Sequence, residues 1–212
     1  MGIKLKIWGK HACFTRPEMR VERVSYDAIT PTAAKGVIES IYWKPAIKWF
    51  VDRIHVINRI NFVSFKRNEV NKKVTSRDIE NAKNNKECYI DTDKVRVQRN
   101  SLVLQDVFYI IEAHFEETGE EESHPEKHYN AFLRRARKGQ CFNQPYMGCR
   151  EFPAFFELLE DNEEVPESYY SGQEIDLGWM LREINYKDMS PCFFRANMKD
   201  GVIEIPQKEV VR

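Results

Sequence analysis

The chain has 212 residues, 42% of them hydrophobic and 31% charged, with 33 Lys+Arg balanced by 33 Asp+Glu. That length suits one substantial core or two small ones, and no apolar run approaches the roughly 20 residues that cross a bilayer as a helix. The zero net charge hides a division, because residues 1–100 carry 21 Lys+Arg against 11 Asp+Glu and residues 101–212 carry 12 against 22. Such a split either turns one basic surface toward a polyanion or lets two dissimilar halves attract each other.

In chain order, residues 3–8 alternate, with Ile3, Leu5 and Ile7 on one face and Lys4, Lys6 and Trp8 on the other. The alternation predicts a half-buried strand whose open face is basic and aromatic. Thr30-Pro31 reads as an N-cap followed by proline at the first helical position. The helix then runs to about residue 42, with Ala34, Val37, Ile38 and Ile41 at helical spacing. Pro45 stops it. Residues 47–65 are rich in Ile, Val, Phe and Trp and read as two strands. Residues 66–100 are polar and charged, an expected excursion with a short helix near 76–82.

Residues 106–115 return to strand, with Val107, Tyr109, Ile111, Ala113 and Phe115 on one face. The acidic run 116–122 is expected to be a solvated loop. A second helix over about 125–138 is expected to bury Tyr129, Phe132, Leu133 and Ala136, and to end in cations and Gly139. Strands and turns follow Cys141, with a hairpin at Asp200-Gly201. The order resembles an α+β, ferredoxin-like βαββαβ unit. It is expected over residues 1–140, with a smaller β-rich region over 141–212.

Lys127-His128 places a fixed cation and a titratable imidazole in the first turn of that second helix, where backbone N–H groups and the dipole favour anions. RNA supplies its own 2′-OH nucleophile, so proton transfer and charge stabilisation suffice to cleave it without a metal. An ordinary polar helix start explains the pair alone at least as well. Tyr42-Trp43-Lys44-Pro45 closes the first helix, and its aromatics suit either base stacking or a lid on the core. Lys4, Lys6 and Trp8 with Arg16, Arg20 and Arg23 could follow a phosphate backbone, or form a solvated face. The acidic segment 157–167 reads as surface, or as a patch for a basic partner. His55 and His114, in strand patterns, read as hydrogen-bonded framework residues.

Five cysteines without a CxxC pair make a disulfide scaffold or a zinc site unexpected and fit reduced thiols in a cytoplasm. His124 and His128 lack companion ligands, so no metal or other cofactor is expected. The N-terminus lacks the apolar core of a secretory signal. P-loop, GxGxxG and GxSxG motifs are missing.

Longer runs say more. Ser25-Tyr26-Asp27, Thr30-Pro31-Thr32-Ala33-Ala34-Lys35-Gly36-Val37-Ile38-Glu39-Ser40-Ile41-Tyr42-Trp43-Lys44-Pro45, Ile111-Glu112-Ala113-His114-Phe115, Lys127-His128-Tyr129 and the stretch from Cys141 through Gly148-Cys149-Arg150-Glu151-Phe152 occur in this order. Together they closely resemble the CRISPR-associated Cas-five-d family of type I-C systems. The resemblance implies a ferredoxin-like domain with a β-rich C-terminal part. It also implies metal-independent cleavage of precursor CRISPR RNA at the base of the repeat hairpin, by attack of the RNA's 2′-OH. The protein is then expected to stay on the 5′ handle of the guide RNA, among the other subunits of a surveillance complex. By the same resemblance Tyr42, Lys127 and His128 match the family's active-site residues. His128 would be base or acid, Lys127 the charge stabiliser, and Tyr42 the residue that orients the ribose. Trp43, Lys44, Arg134 and Arg135 join the candidate RNA contacts. A non-catalytic scaffold capping the guide handle is the alternative, and double-stranded DNA is a further candidate partner for the basic surface.

Overall fold

Leu5 and Ile7 are fully buried while Lys4 and Trp8 are exposed, so the first strand behaves as its alternation predicts. The computed structural model describes residues 2–19, 21–84, 89–119, 124–185 and 188–207. The expected RNA contact Arg20, the cysteine Cys88 and the acidic residues 120–122 lie outside them. The elements in chain order are β1 (Gly2–Ala12), α1 (Pro31–Ile41), β2 (Ile47–Val56), β3 (Phe62–Val70), α2 (Ser76–Lys83), α3 (Thr92–Val95), β4 (Arg96–Glu117), α4 (Pro125–Arg137), β5 (Phe155–Leu158), β6 (Glu174–Asn185), β7 (Ser190–Lys199) and β8 (Val202–Glu204).

Strands β5, β1, β4 and β2 lie side by side in that order, each antiparallel to its neighbour. Helix α1 connects β1 to β2 and α4 connects β4 to β5, which is the ferredoxin-like βαββαβ arrangement. Its last strand, Phe155–Leu158, lies beyond the expected domain end near residue 140. The C-terminal strands extend the same sheet, because β8 pairs with β2 and is followed across the sheet by β7 and β6. Asp200 and Gly201 both have positive φ, 53° and 78°, and form the expected β7–β8 hairpin turn.

The polar excursion is shorter than expected. β3 continues to Val70 and β4 begins at Arg96, so strand pairing claims both ends of it. Alternation persists there without an apolar face, since ion pairs take its place: Arg99 and Arg23 each meet Glu69 at 3.5 Å. The short helix α2 does form, capped by Thr75 and Asp78, and it buries none of its residues.

α1 and α4 cover one face of the sheet. α1 buries Ala34, Val37, Ile38 and Ile41 as its spacing predicts, and Thr30 Oγ1 accepts from the Ala33 N–H at 3.3 Å. The buried face of α4 differs from expectation. It consists of His128, Phe132 and Ala136, and Tyr129 and Leu133 are only half-buried. Trp49 of β2 sits beneath, its ring centroid 5.0 Å from Phe132 and 5.2 Å from Phe115. Gly139 ends the helical turn region at φ 61°. The four described cysteines are free thiols, and no helix among the described residues is long and apolar enough to cross a membrane.

Candidate active site and RNA interface

Tyr42 caps the C-terminus of α1. Its N–H donates to the Ile38 carbonyl at 3.1 Å, and its extended backbone (φ −152°, ψ 119°) turns the chain off the helix axis ahead of Pro45. The Trp49 indole N–H donates to the Tyr42 carbonyl at 3.0 Å and fixes that exit. Extended residues alternate sides, so Tyr42 is buried while Trp43 beside it is 55% exposed.

α4 approaches from the other side. His124 is its N-cap without a side-chain capping bond, and Pro125 occupies the first turn. One turn in, His128 shares the inward face with Phe132 and Ala136, which follow at i+4 and i+8. Tyr42 Oη and His128 Nδ1 lie 2.8 Å apart, a buried hydrogen bond between residues 86 positions apart in sequence. Phe115 borders the imidazole edge-on at 6.4 Å. His128 is 6% exposed, and its other ring nitrogen, Nε2, is buried with no hydrogen-bond partner among the described residues. Such orphaned buried nitrogens are uncommon and call for an explanation.

Cations ring the pair. Arg135 lies over the Tyr42 ring at 5.2 Å and donates to the Ile41 carbonyl at 2.9 Å, closing the end of α1. Burial pushes the Tyr42 phenol above its ordinary pKa, and the charges of Arg135 and Arg134 offset part of that rise. The phenol is therefore neutral at physiological pH. Lys127 is exposed, because helical neighbours point about 100° apart. It is on the helix surface beside a buried imidazole. Lys44 and Arg134 are exposed as well. The structure thus gathers Tyr42, Trp43, Lys44, Lys127, His128, Arg134 and Arg135 around the junction of α1 and α4.

The remaining expected RNA contacts lie elsewhere and are engaged. Lys4 is 3.9 Å from Glu112, and Lys6 is 2.9 Å from Glu163 and 3.8 Å from Glu157. The Glu163 carboxylate raises the Lys6 pKa. Trp8 stacks on Phe155 at 6.1 Å, on the sheet face away from the helices. Arg16 pairs with Asp27 at 2.7 Å and covers Tyr26, while Arg23 meets Glu69 at 3.5 Å and Glu151 at 3.7 Å. Glu160 of the acidic segment takes Arg137 at 2.6 Å. Lys4, Lys6 and Arg23 thus meet carboxylates of the acidic half, whereas Arg16–Asp27, Arg23–Glu69 and Arg137–Glu160 pair within one half. His55 and His114 are framework residues, bonded to Glu112 at 3.0 Å and Asp52 at 2.8 Å. Among the described residues no group of three or more His, Cys, Asp or Glu is placed to hold a metal ion.

Sequence reasoning missed two parts of this region. Trp49 holds the Tyr42 carbonyl from within the core. Phe142 and Tyr146, exposed on the segment after α4, sit where a polar turn would serve; large aromatics in such a turn were the available signal.

Residues 2–206 match the family described as CRISPR-associated protein (Cas_Cas5), in its Cas5d form. A relative from Mannheimia succiniciproducens, described as CRISPR pre-crRNA endoribonuclease Cas5d, is 49% identical over 212 residues, covering 96% of this chain and 94% of its own. One from Thermus thermophilus with the same description is 35% identical over 227 residues, covering 98% and 92%. A solved structure described as a CRISPR-associated protein superimposes with a TM-score of 0.73 at 26% identity, over 100% of this chain and 97% of that one. A functionally uncharacterized protein from Streptococcus mutans does so with a TM-score of 0.71 at 26% identity, over 100% and 96%. The chain belongs to the Cas5d family of CRISPR-associated proteins.

Proposed function

We propose that this protein is an endoribonuclease that cleaves precursor CRISPR RNA at the base of the repeat hairpin without a metal. It then stays on the 5′ handle of the guide RNA with the other subunits of a type I-C surveillance complex. The description shared by the two Cas5d relatives supports the RNA-cleaving activity. The observation that carries the residue assignment is the bond from Tyr42 Oη to His128 Nδ1 at 2.8 Å, which leaves Nε2 as the nitrogen without a partner among the described residues.

The 2′-OH attacks the adjacent phosphorus, its proton passing to a base, and the departing 5′-oxygen takes a proton from an acid. A 2′,3′-cyclic phosphate and a 5′-OH result, and neither water nor a protein nucleophile is consumed. His128 handles a proton in this cycle through Nε2, the ring nitrogen that Tyr42 leaves open, which must come out of its buried position to meet the RNA. Tyr42 fixes the ring's orientation through Nδ1. Lys127 and Arg134 stabilise the charge that builds on the phosphorane oxygens.

The burial of His128 favours a second role, in which the imidazole only braces α4 against α1 in a scaffold that caps the guide handle. His128→Ala separates the two. The nuclease assignment predicts a cleavage rate about 10²- to 10⁴-fold lower at a temperature where the variant is still folded and binds RNA, alongside the loss of stability that removing a buried imidazole and its bond to Tyr42 brings. Lys127→Ala is expected to slow cleavage while leaving the fold intact, since its side chain is exposed. Wild-type cleavage by the His128 variant would refute the assignment.

A further inference from the structure

We infer that the groove between α1 and residues 142–148 is a pocket for an unpaired nucleobase of the RNA substrate, near the scissile phosphate. This inference rests on the proposed RNA-cleaving function and adds a specificity site to it. The groove has a volume of about 690 Å³, within the usual range for small-ligand pockets. Its walls are mostly apolar, and three of its aromatics are unusually open: Phe142 at 82%, Trp43 at 55% and Tyr146 at 43% exposure. Aromatic faces of this kind stack unpaired bases.

Polar groups for a base edge are present too. The Asn143 and Gln144 amides line the groove, and Gln144 Nε2 donates to the Ala154 carbonyl at 3.1 Å, which steadies its carboxamide. The charge pattern selects a base over a phosphate. The groove's one carboxylate among the described residues, Glu39, is half-buried and 3.7 Å from Lys35, and no lysine or arginine lines it. The cations Lys44 and Arg134 lie outside the groove, where a backbone would run.

Position links the groove to the chemistry. Trp43 follows Tyr42 directly, and because the extended backbone turns the two side chains to opposite sides, a nucleotide stacked on Trp43 lies across that backbone from the Tyr42–His128 bond, within a few nucleotides of the scissile phosphate. The wall is also rigid. Phe142 N–H donates to the Ser40 carbonyl at 2.7 Å, Cys13 N–H to Met147 at 3.0 Å, and Ala154 N–H to Pro145 at 2.9 Å. Gly148, at φ 79°, packs directly against the Cys13 carbonyl, where no side chain fits. Such preformed walls lower the entropic cost of binding.

The test uses full-length protein and repeat RNA with a 2′-deoxy sugar at the cut site, so that binding is read without cleavage. 2-Aminopurine is placed at one position at a time along the nucleotides flanking the cut. Fluorescence quenching is expected at one flanking position and is lost in Trp43→Leu and Phe142→Ala. Affinity should fall about 5- to 150-fold in each, the range for one stacked base. Phe142 is so exposed that its truncation removes no core packing. Equal quenching in wild type and both variants at every position would overturn the inference. So would unchanged RNA affinity with loss only of association with other complex subunits, which would make the groove a protein dock. If wild type shows the stacking signal but fails to cleave the all-ribose RNA, the base pocket stands and the nuclease proposal falls.

Discussion

The Tyr42–His128 bond joins two helices through one buried contact, and its removal has separable effects on stability and chemistry. Tyr42→Phe keeps the ring and its packing but leaves Nδ1 of a buried imidazole unsatisfied, which is expected to cost about 1–3 kcal/mol in denaturant titrations. The pH dependence carries a sign. Burial raises the folded-state phenol pKa above its unfolded value near 10. The stability linked to the bound proton is therefore fully present below pH 10, and it is lost as pH rises through the folded value. Wild-type stability should decline above pH 10 by more than that of Tyr42→Phe; equal slopes would contradict the burial argument. At this scale the sequence by itself was silent. Nothing in residue spacing relates position 42 to position 128, and only resemblance named both. Hydropathy treats histidine as polar, so the expected stripe of Tyr129, Phe132, Leu133 and Ala136 held two of the buried residues, Phe132 and Ala136, and missed His128.

At the scale of elements, α1 was fully legible, because a cap, a proline and four apolar residues at helical spacing all agree. The end of β3 and the start of β4 were not. Their inter-strand bonds need only backbone, and with ion pairs such as Arg99–Glu69 in place of an apolar face, composition looks like a loop. The segment between α4 and β5 shows how one glycine can set a surface. Gly148→Ala places a side chain against the Cys13 carbonyl at a φ of 79° that alanine avoids. We expect a loss of about 1–3 kcal/mol of stability, together with weaker RNA binding as the groove wall shifts. Cleavage at saturating RNA should persist, because α4 and Tyr42 are untouched. Wild-type melting and affinity in this variant would show that the wall tolerates displacement.

For the whole molecule, the ferredoxin-like unit determines why distant residues meet. Its two crossover helices lie on one face of the sheet, so the end of the first and the start of the second become neighbours there, bringing Tyr42 to His128. The opposite face keeps its lysines occupied with Glu112, Glu157 and Glu163. The exposed cations Lys44, Lys127 and Arg134 and the open aromatics Trp43 and Phe142 are near that helical junction, and a protein of zero net charge can still present a local RNA surface. The most direct test incubates the purified protein with labelled repeat RNA in excess EDTA, beside an otherwise identical RNA carrying one 2′-deoxy sugar at the cut site. We expect the first to be cleaved to a 2′,3′-cyclic phosphate and the second to be bound but left intact. Cleavage of the deoxy substrate, or dependence of the first reaction on added metal, would contradict attack by the RNA's own hydroxyl.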